Sequence, residues 1–433
     1  MKEPNFHTRR EFLRSTLLGG ALTWTVPGFI QSTLVSLQAA QPGGRTGKYD
    51  PVLIVLQLAG GNDGLNTVIP YDNDHYQRAR PQIGLKKSGI LTVADGLGFH
   101  PAMAGMKTLF DEGNLSVVHG VGYPNPNRSH FRSTEIWQTA SDADRVENHG
   151  WIGRYFDNQC NGCNASSAIC IGSEAPQAFA AKMPRGVTLQ NPEQFRLLSE
   201  GESEAGEQLF RQMNNLDQNE GSSIGGLVGY DRKDRTESPV DFLERTALDA
   251  EVSSERIRDI ASRSNGRGSY PATRLGRELE LVSKLIAGGM TTRVYYVSHG
   301  GFDTHTNQAG THERLLREMS DALLALTRDL KAQGNLDRVM VMTFSEFGRR
   351  VEENASGGTD HGAAAPLFVI GGNIRPGFTG ALPSLKPTDL DEGDIKHTTD
   401  FRSVYATVLE KHLKAPSKPI LGNAYPILPI VAS

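Results

Sequence analysis

Short, continuous apolar runs recur along this chain, and several stop abruptly at glycine, acidic and histidine residues. Val52 to Leu58 runs into Ala59-Gly60-Gly61-Asn62-Asp63-Gly64-Leu65-Asn66, and Val294 to Val297 runs towards His299-Gly300-Gly301-Phe302-Asp303-Thr304-His305. Val339 to Phe344 meets Ser345-Glu346-Phe347-Gly348-Arg349, and Gly357-Gly358-Thr359-Asp360-His361-Gly362 leads into a further run, Pro366 to Ile370. Runs of this length beside glycine predict parallel strands buried on both faces; Leu115 to Val121 and Arg293 to Val297 belong to the same set. Between them the apolar spacing turns helical. Met103, Met106, Leu109 and Phe110 share a face within Pro101 to Glu112, and Leu275 to Ala287 and His312 to Ala332 predict two more helices. Ser129 is placed as the N-cap of a helix running through Trp137. The alternation predicts an α/β fold: a doubly wound, mostly parallel sheet with helices on both faces. Such sheets take their ligands outside the carboxyl ends of the strands. Carboxylates and imidazoles therefore collect along one edge, which points to a metal-dependent site.

Length and composition refine this picture. At 433 residues the chain can bury a large core, and one α/β domain over 50–430 with an insertion accounts for it. From about Glu200 to Gly268 the sequence is rich in Glu, Gln, Ser, Asn and Arg, and reads as a polar helical insertion. A net charge of -4 with no basic stripe argues against nucleic acid as a partner. Before the first strand, Thr8-Arg9-Arg10-Glu11-Phe12-Leu13 precedes a weakly apolar stretch, Leu17 to Ile30. This reads as a twin-arginine export signal over residues 1–40, with the twin-arginine translocase as a partner and a periplasmic or extracellular destination. No other run approaches the ~20 apolar residues of a membrane span. The three cysteines, Cys160, Cys163 and Cys170, are close in sequence, so an oxidising compartment allows one local disulfide and an odd thiol.

The chemistry lies in the residues that follow the strands. Asp63 sits in a Gly-Gly-Asn-Asp-Gly loop, where glycine lets backbone approach a ligand, although Asn-Asp-Gly is also turn chemistry. Asp303 and His305 are two apart just past a strand and can share a cation. Glu346, Asp360 and His361 add further donors. Carboxylates clustered at a sheet edge need a cation, since uncompensated buried charge costs several kcal/mol per ion. Ser129, at a helix N-terminus, is the candidate nucleophile, with a plain N-cap as the competing role. Arg128, Arg132 and Arg349 are candidates to meet a tetrahedral anion.

Leu58 to Thr67, Ser129-His130-Phe131, Gly301 to His305, Phe344 to Arg349, Gly358 to Gly362 and Thr399-Asp400-Phe401-Arg402 together resemble the exported bacterial family called domain of unknown function 1501. That family in turn resembles the alkaline phosphatase and sulfatase superfamily, which implies a doubly wound sheet and two metal sites fed from strand ends. On this resemblance Asp63 matches the first-strand aspartate, Ser129 the helix-capping nucleophile, and Asp303 with His305 a ligand segment usually spaced four apart, where this chain has Asn307. Ser345-Glu346-Phe347-Gly348 aligns with the usual Asp-His-Gly strand end, with Glu in place of the acid and Phe in place of the histidine; Asp360-His361-Gly362 either compensates from the next loop or is itself that motif. The expectation is an exported hydrolase of phosphate or sulfate esters, small-molecule or polysaccharide. Its metal ligands would come from Asp63, Asp303, His305, Glu346, Asp360 and His361, with Ser129 or an activated water as nucleophile and Arg349 as the catalytic arginine. Zinc suits that donor mixture, with calcium, magnesium or manganese as alternatives. A catalytically degenerate module that binds a polysaccharide or protein partner is the alternative function.

Overall fold

The computed structural model describes residues 50–159, 165–182, 186–190, 255–262 and 268–432. The expected export signal lies outside the described residues, as does most of the polar insertion. In chain order the elements that frame the molecule are β1 (Val52–Ala59), β2 (Val68–Ile69), α1 (Asp74–Ala79), β3 (Leu91–Ala94), β4 (Leu97–Phe99), α2 (Ala104–Asp111), β5 (Leu115–Gly122), α3 (His130–Thr139) and α4 (Trp151–Gln159). They continue with β6 (Ala168–Ile171), β7 (Val187–Leu189), α5 (Arg274–Ala287), β8 (Val294–Gly300), α6 (Gln308–Ala332), β9 (Val339–Phe344), β10 (Ala365–Gly371), β11 (Gly377–Thr379), β12 (Thr399–Asp400), α7 (Phe401–Thr407) and α8 (Ser417–Leu421).

Among the described residues nine strands form the main sheet, in the order β11-β5-β10-β9-β1-β8-β6-β7, with β12 also on β5. Side chains alternate between its faces as strand geometry requires. From β1, Ile54, Leu56 and Leu58 enter one core with Met106, Leu279 and Leu323 of α2, α5 and α6. Leu53 and Val55 enter the other with Trp137, Trp151, Tyr405 and Ile420 of α3, α4, α7 and α8. Helices thus cover both faces, and the fold is the doubly wound, mostly parallel α/β class. A second, three-stranded sheet, β2-β4-β3, flanks it.

One strand differs from the parallel expectation. β10 runs antiparallel to both β9 and β5, while the other pairings in the main sheet are parallel. The reversal brings the end of β9 and the start of β10 to one edge. Glu346 and the Asp360-His361 pair therefore flank a single loop beside the ends of β1 and β8. The polypeptide reaches that edge with two glycines after β1. Gly60 has φ +117°, and a Cβ there would lie 2.4 Å from the Asp303 backbone nitrogen; Gly61, at φ +79°, packs against the Phe347 ring.

Cys170 lies on β6 as a buried free thiol, and burial pushes it up to about 12. It is therefore neither disulfide-bonded nor a nucleophile at neutral pH. Cys160 and Cys163 lie outside the described residues.

Candidate metal centre

Asp303 stands at the middle of the cluster. It follows β8, and its Oδ1 is 2.7 Å from Arg349 Nη2, 3.0 Å from His305 Nε2 and 3.1 Å from His361 Nε2. Its Oδ2 is 3.4 Å from His130 Nε2. Burial raises the Asp303 carboxyl, but hydrogen bonds from Arg349 and His361 and the nearby charges outweigh it and bring the pKa down to about 2. The donor atoms of His130, Asp303 and His361 lie within 4.8 Å of one another. His305 Nε2 lies 2.9 Å from His361 Nε2.

The other nitrogen of each ring is held from behind. His130 Nδ1 lies 2.9 Å from Glu346 Oε1, His305 Nδ1 lies 3.2 Å from Asp360 Oδ1, and His361 Nδ1 lies 2.8 Å from the Arg128 carbonyl oxygen. Each of these oxygens can only accept, so each Nδ1 carries the proton and donates it. Three Nε2 atoms are thereby turned towards one carboxylate, where a proton on His361 Nε2 makes the hydrogen bond to Asp303 and a bound cation would take that proton's place. Lone pairs at these separations repel unless a positive charge lies among them, from ring protons or a cation. His130 shows that demand: the hydrogen bond to Glu346, opposed by partial burial and supported by the charges of Glu346 and Asp303, raises its pKa above the ordinary value. Its Nε2 and the second oxygen of Glu346 are buried without a hydrogen bond. Three imidazoles and a carboxylate suit zinc, and the acceptors behind the rings are the support that metal-bound histidines usually have.

The residues expected from sequence divide into distinct positions. Asp303, His305 and His361 meet. Glu346 and Asp360 stand behind His130 and His305, and Glu346 Oε1 also accepts from the Gly60 backbone N–H at 2.7 Å. Asp63 lies deeper. Its Oδ2 pairs with Arg80 Nη1 at 2.6 Å and accepts from Gln308 Nε2 at 2.5 Å, with the Asp63 and Arg80 side chains fully buried. Burial raises its pKa, but Arg80, His312 and Gln308 more than reverse this and hold it below the usual carboxylate range. Ser129 occupies the N-cap position of α3 and is exposed, yet its hydroxyl does not cap the helix.

Arg349 differs most from expectation. Its buried guanidinium donates to the carbonyls of Gly60, Gly61, Phe302 and Thr359 as well as to Asp303. It ties the loops after β1, β8 and β9 together and orients Asp303, and it does not present a fork to a bound anion. Two partners had little or no signal in the sequence. His130 was visible only as the middle of Ser-His-Phe, and Arg80 sits in an ordinary polar stretch.

These features define an α/β protein with a histidine–carboxylate cluster at the carboxyl edge of a mostly parallel sheet. The chain belongs to the family described as "Protein of unknown function (DUF1501)", whose model matches residues 50–420. No curated protein matches it in sequence. Solved structures similar to it include a protein in the alkaline phosphatase superfamily from Vibrio parahaemolyticus, at 8% identity, 92% coverage of this chain and 77% of that one, with a TM-score of 0.39. The PsFucS1 sulfatase from Pseudoalteromonas sp. is 12% identical over 92% of this chain and 72% of that one, with a TM-score of 0.33. The C-terminal periplasmic domain of EcEptC from Escherichia coli, solved in complex with Zn, is 9% identical over 78% and 77% of the two chains, with a TM-score of 0.33.

Proposed function

We propose that the protein is an exported metal-dependent hydrolase of phosphate or sulfate esters, with His130, Asp303, His305 and His361 holding a divalent ion. The observation that carries this reading is the convergence of three Nε2 atoms on Asp303, each ring with an acceptor at Nδ1. Nitrogen donors with one carboxylate favour zinc over calcium or magnesium. Such an ion supplies Lewis-acid polarisation of an ester oxyanion and makes a neighbouring hydroxyl more acidic.

The chain's own groups do the rest. Arg349 keeps Asp303 ionised and aimed, while Glu346 and Asp360 keep the His130 and His305 rings in one tautomer. Ser129, one residue before His130, has its backbone N–H held by Asn127 Oδ1 at 2.8 Å and presents its hydroxyl at the exposed start of α3. Attack of this oxygen on the phosphorus or sulfur breaks the ester bond and releases the alcohol, and water then hydrolyses the seryl ester. Direct attack by water gives the same products in one step. Ser129→Ala separates the routes: loss of turnover with the ion retained marks the serine, and retained turnover marks water.

Export follows from residues 1–40 as read above. Changing Arg9 and Arg10 together to lysine should leave the precursor in the cytoplasm, and normal export of that variant refutes the route. Elemental analysis of protein purified without chelators, beside hydrolysis of a panel of small-molecule and polysaccharide phosphate and sulfate esters, tests the function. Absence of both ion and turnover after supply of zinc, calcium, magnesium and manganese leaves a binding module as the better account.

A further inference from the structure

We infer that the centre holds a single divalent ion, with Arg80 acting as the internal cation for Asp63, and that the resulting charge balance selects singly charged tetrahedral esters. This rests on the reading of the His130, Asp303, His305 and His361 cluster as a metal centre. Asp63 belongs to the same edge as that cluster. It is joined to it through Gln308, whose Oε1 accepts from Thr304 at 3.0 Å and from Thr359 at 2.6 Å, neighbours in sequence of Asp303 and Asp360. An acidic side chain so placed is a natural ligand for a second ion. Its charge is met at Oδ2, where Arg80 Nη1 lies at 2.6 Å and also donates to Asn66 Oδ1 at 2.9 Å, while Arg80 Nε and Nη2 donate to the carbonyls of Val351 and Arg350; Oδ1 is buried without a hydrogen bond, so it is charge rather than lack of a free oxygen that disfavours a second ion. A guanidinium anchored by two carbonyls and a side-chain amide is not displaced cheaply, and two cations at one buried carboxylate would repel.

The charge around the cluster follows. A divalent ion and Arg349 would be balanced by Asp303, Glu346 and Asp360, so the loaded cluster is close to neutral. Among the described residues, the remaining arginines nearby are engaged. Arg128 and Arg350 pair with Asp394, Arg128 also with Glu392, and Arg132 pairs with Glu135. A dianionic phosphate monoester would add two negative charges to this neutral cluster, and a phosphodiester or sulfate monoester only one. The latter two share the chemistry the site fits.

Two measurements on the full mature chain test the inference without recourse to turnover. Elemental analysis after zinc saturation and desalting should give one ion per chain. Asp63→Asn should keep that ion and Asp303→Asn should lose it, with circular dichroism showing both variants folded. If Asp63→Asn fails to fold, Gln308→Ala, which frees one hydrogen bond of Asp63 and leaves Arg80 in place, should likewise keep one ion. Calorimetric titration of the zinc-loaded protein at mildly alkaline pH should show dimethyl phosphate or methyl sulfate binding at least about tenfold more tightly than methyl phosphate, since the second charge finds no partner. Whichever of the first two binds better assigns the ester class. Two ions per chain, loss of the ion in Asp63→Asn, or methyl phosphate as the tightest of the three overturns the inference while leaving a metal centre intact. No ion at all overturns the metal centre with it.

Discussion

At His130 two carboxylates act on one imidazole from opposite sides, Glu346 on Nδ1 and Asp303 near Nε2. The same plan recurs at His305, between Asp360 and Asp303. Acceptors behind metal-bound histidines typically contribute about 10- to 100-fold in ion affinity. Asp360→Asn should therefore weaken zinc binding by a factor in that range, measured by competition with a chromophoric chelator. Asp360 is exposed, so its thermal midpoint without zinc should hardly move; an unchanged zinc affinity would leave His305 without this support. Asp303, His305 and His361 were legible because short acidic and histidine motifs flank apolar runs. His130 was not, because a histidine one place into a helix is common and its partners Glu346 and Asp303 are far away in sequence. Arg80 had no local signal at all: its ion pair with Asp63 exists only because α1 packs near the loop after β1.

The elements were read best where many consecutive residues agree. Val52 to Leu58, Leu115 to Val121, Val339 to Phe344 and Pro366 to Ile370 all fall within strands, and α6 starts at Gln308, four residues before the expected His312. β2, β11 and β12 span only two or three residues, too few for a period, and are set by the strands they join. The direction of β10 was equally hidden, since an apolar run reads alike in either sense. The loops are tightly placed, which makes Gly60 a sensitive position. Gly60→Ala would put a methyl 2.4 Å from the Asp303 nitrogen at φ +117°. The backbone cost alone is about 1–3 kcal/mol, so a lower melting temperature and weakened zinc binding are expected together. Thr273→Ala is the control at a distance. It removes the N-cap bond to the Gly276 N–H of α5 and should cost about 1 kcal/mol without touching ion affinity.

Across the molecule, burial pushes His119, His312 and His412 down to about 4 each, in separate parts of the core. The unfolded chain titrates its histidines near the ordinary value of about 6.5. Between about pH 6.5 and 4 the unfolded state therefore binds more protons, so stability falls as the pH drops through that window and this contribution levels off below it. Thermal unfolding between pH 7 and 4.5 should show the decline, and His412→Gln should make it shallower; a flat profile in the parent would mean these histidines are not buried neutral. The cluster after β8 is proposed to hold a metal ion, and the most direct measurement is an anomalous difference map at the zinc edge from crystals of zinc-loaded protein. One strong peak is expected about 2.0–2.1 Å from the Nε2 atoms of His130, His305 and His361 and from an oxygen of Asp303. A peak coordinated by Asp63, or none above noise at saturating zinc, would contradict the proposal.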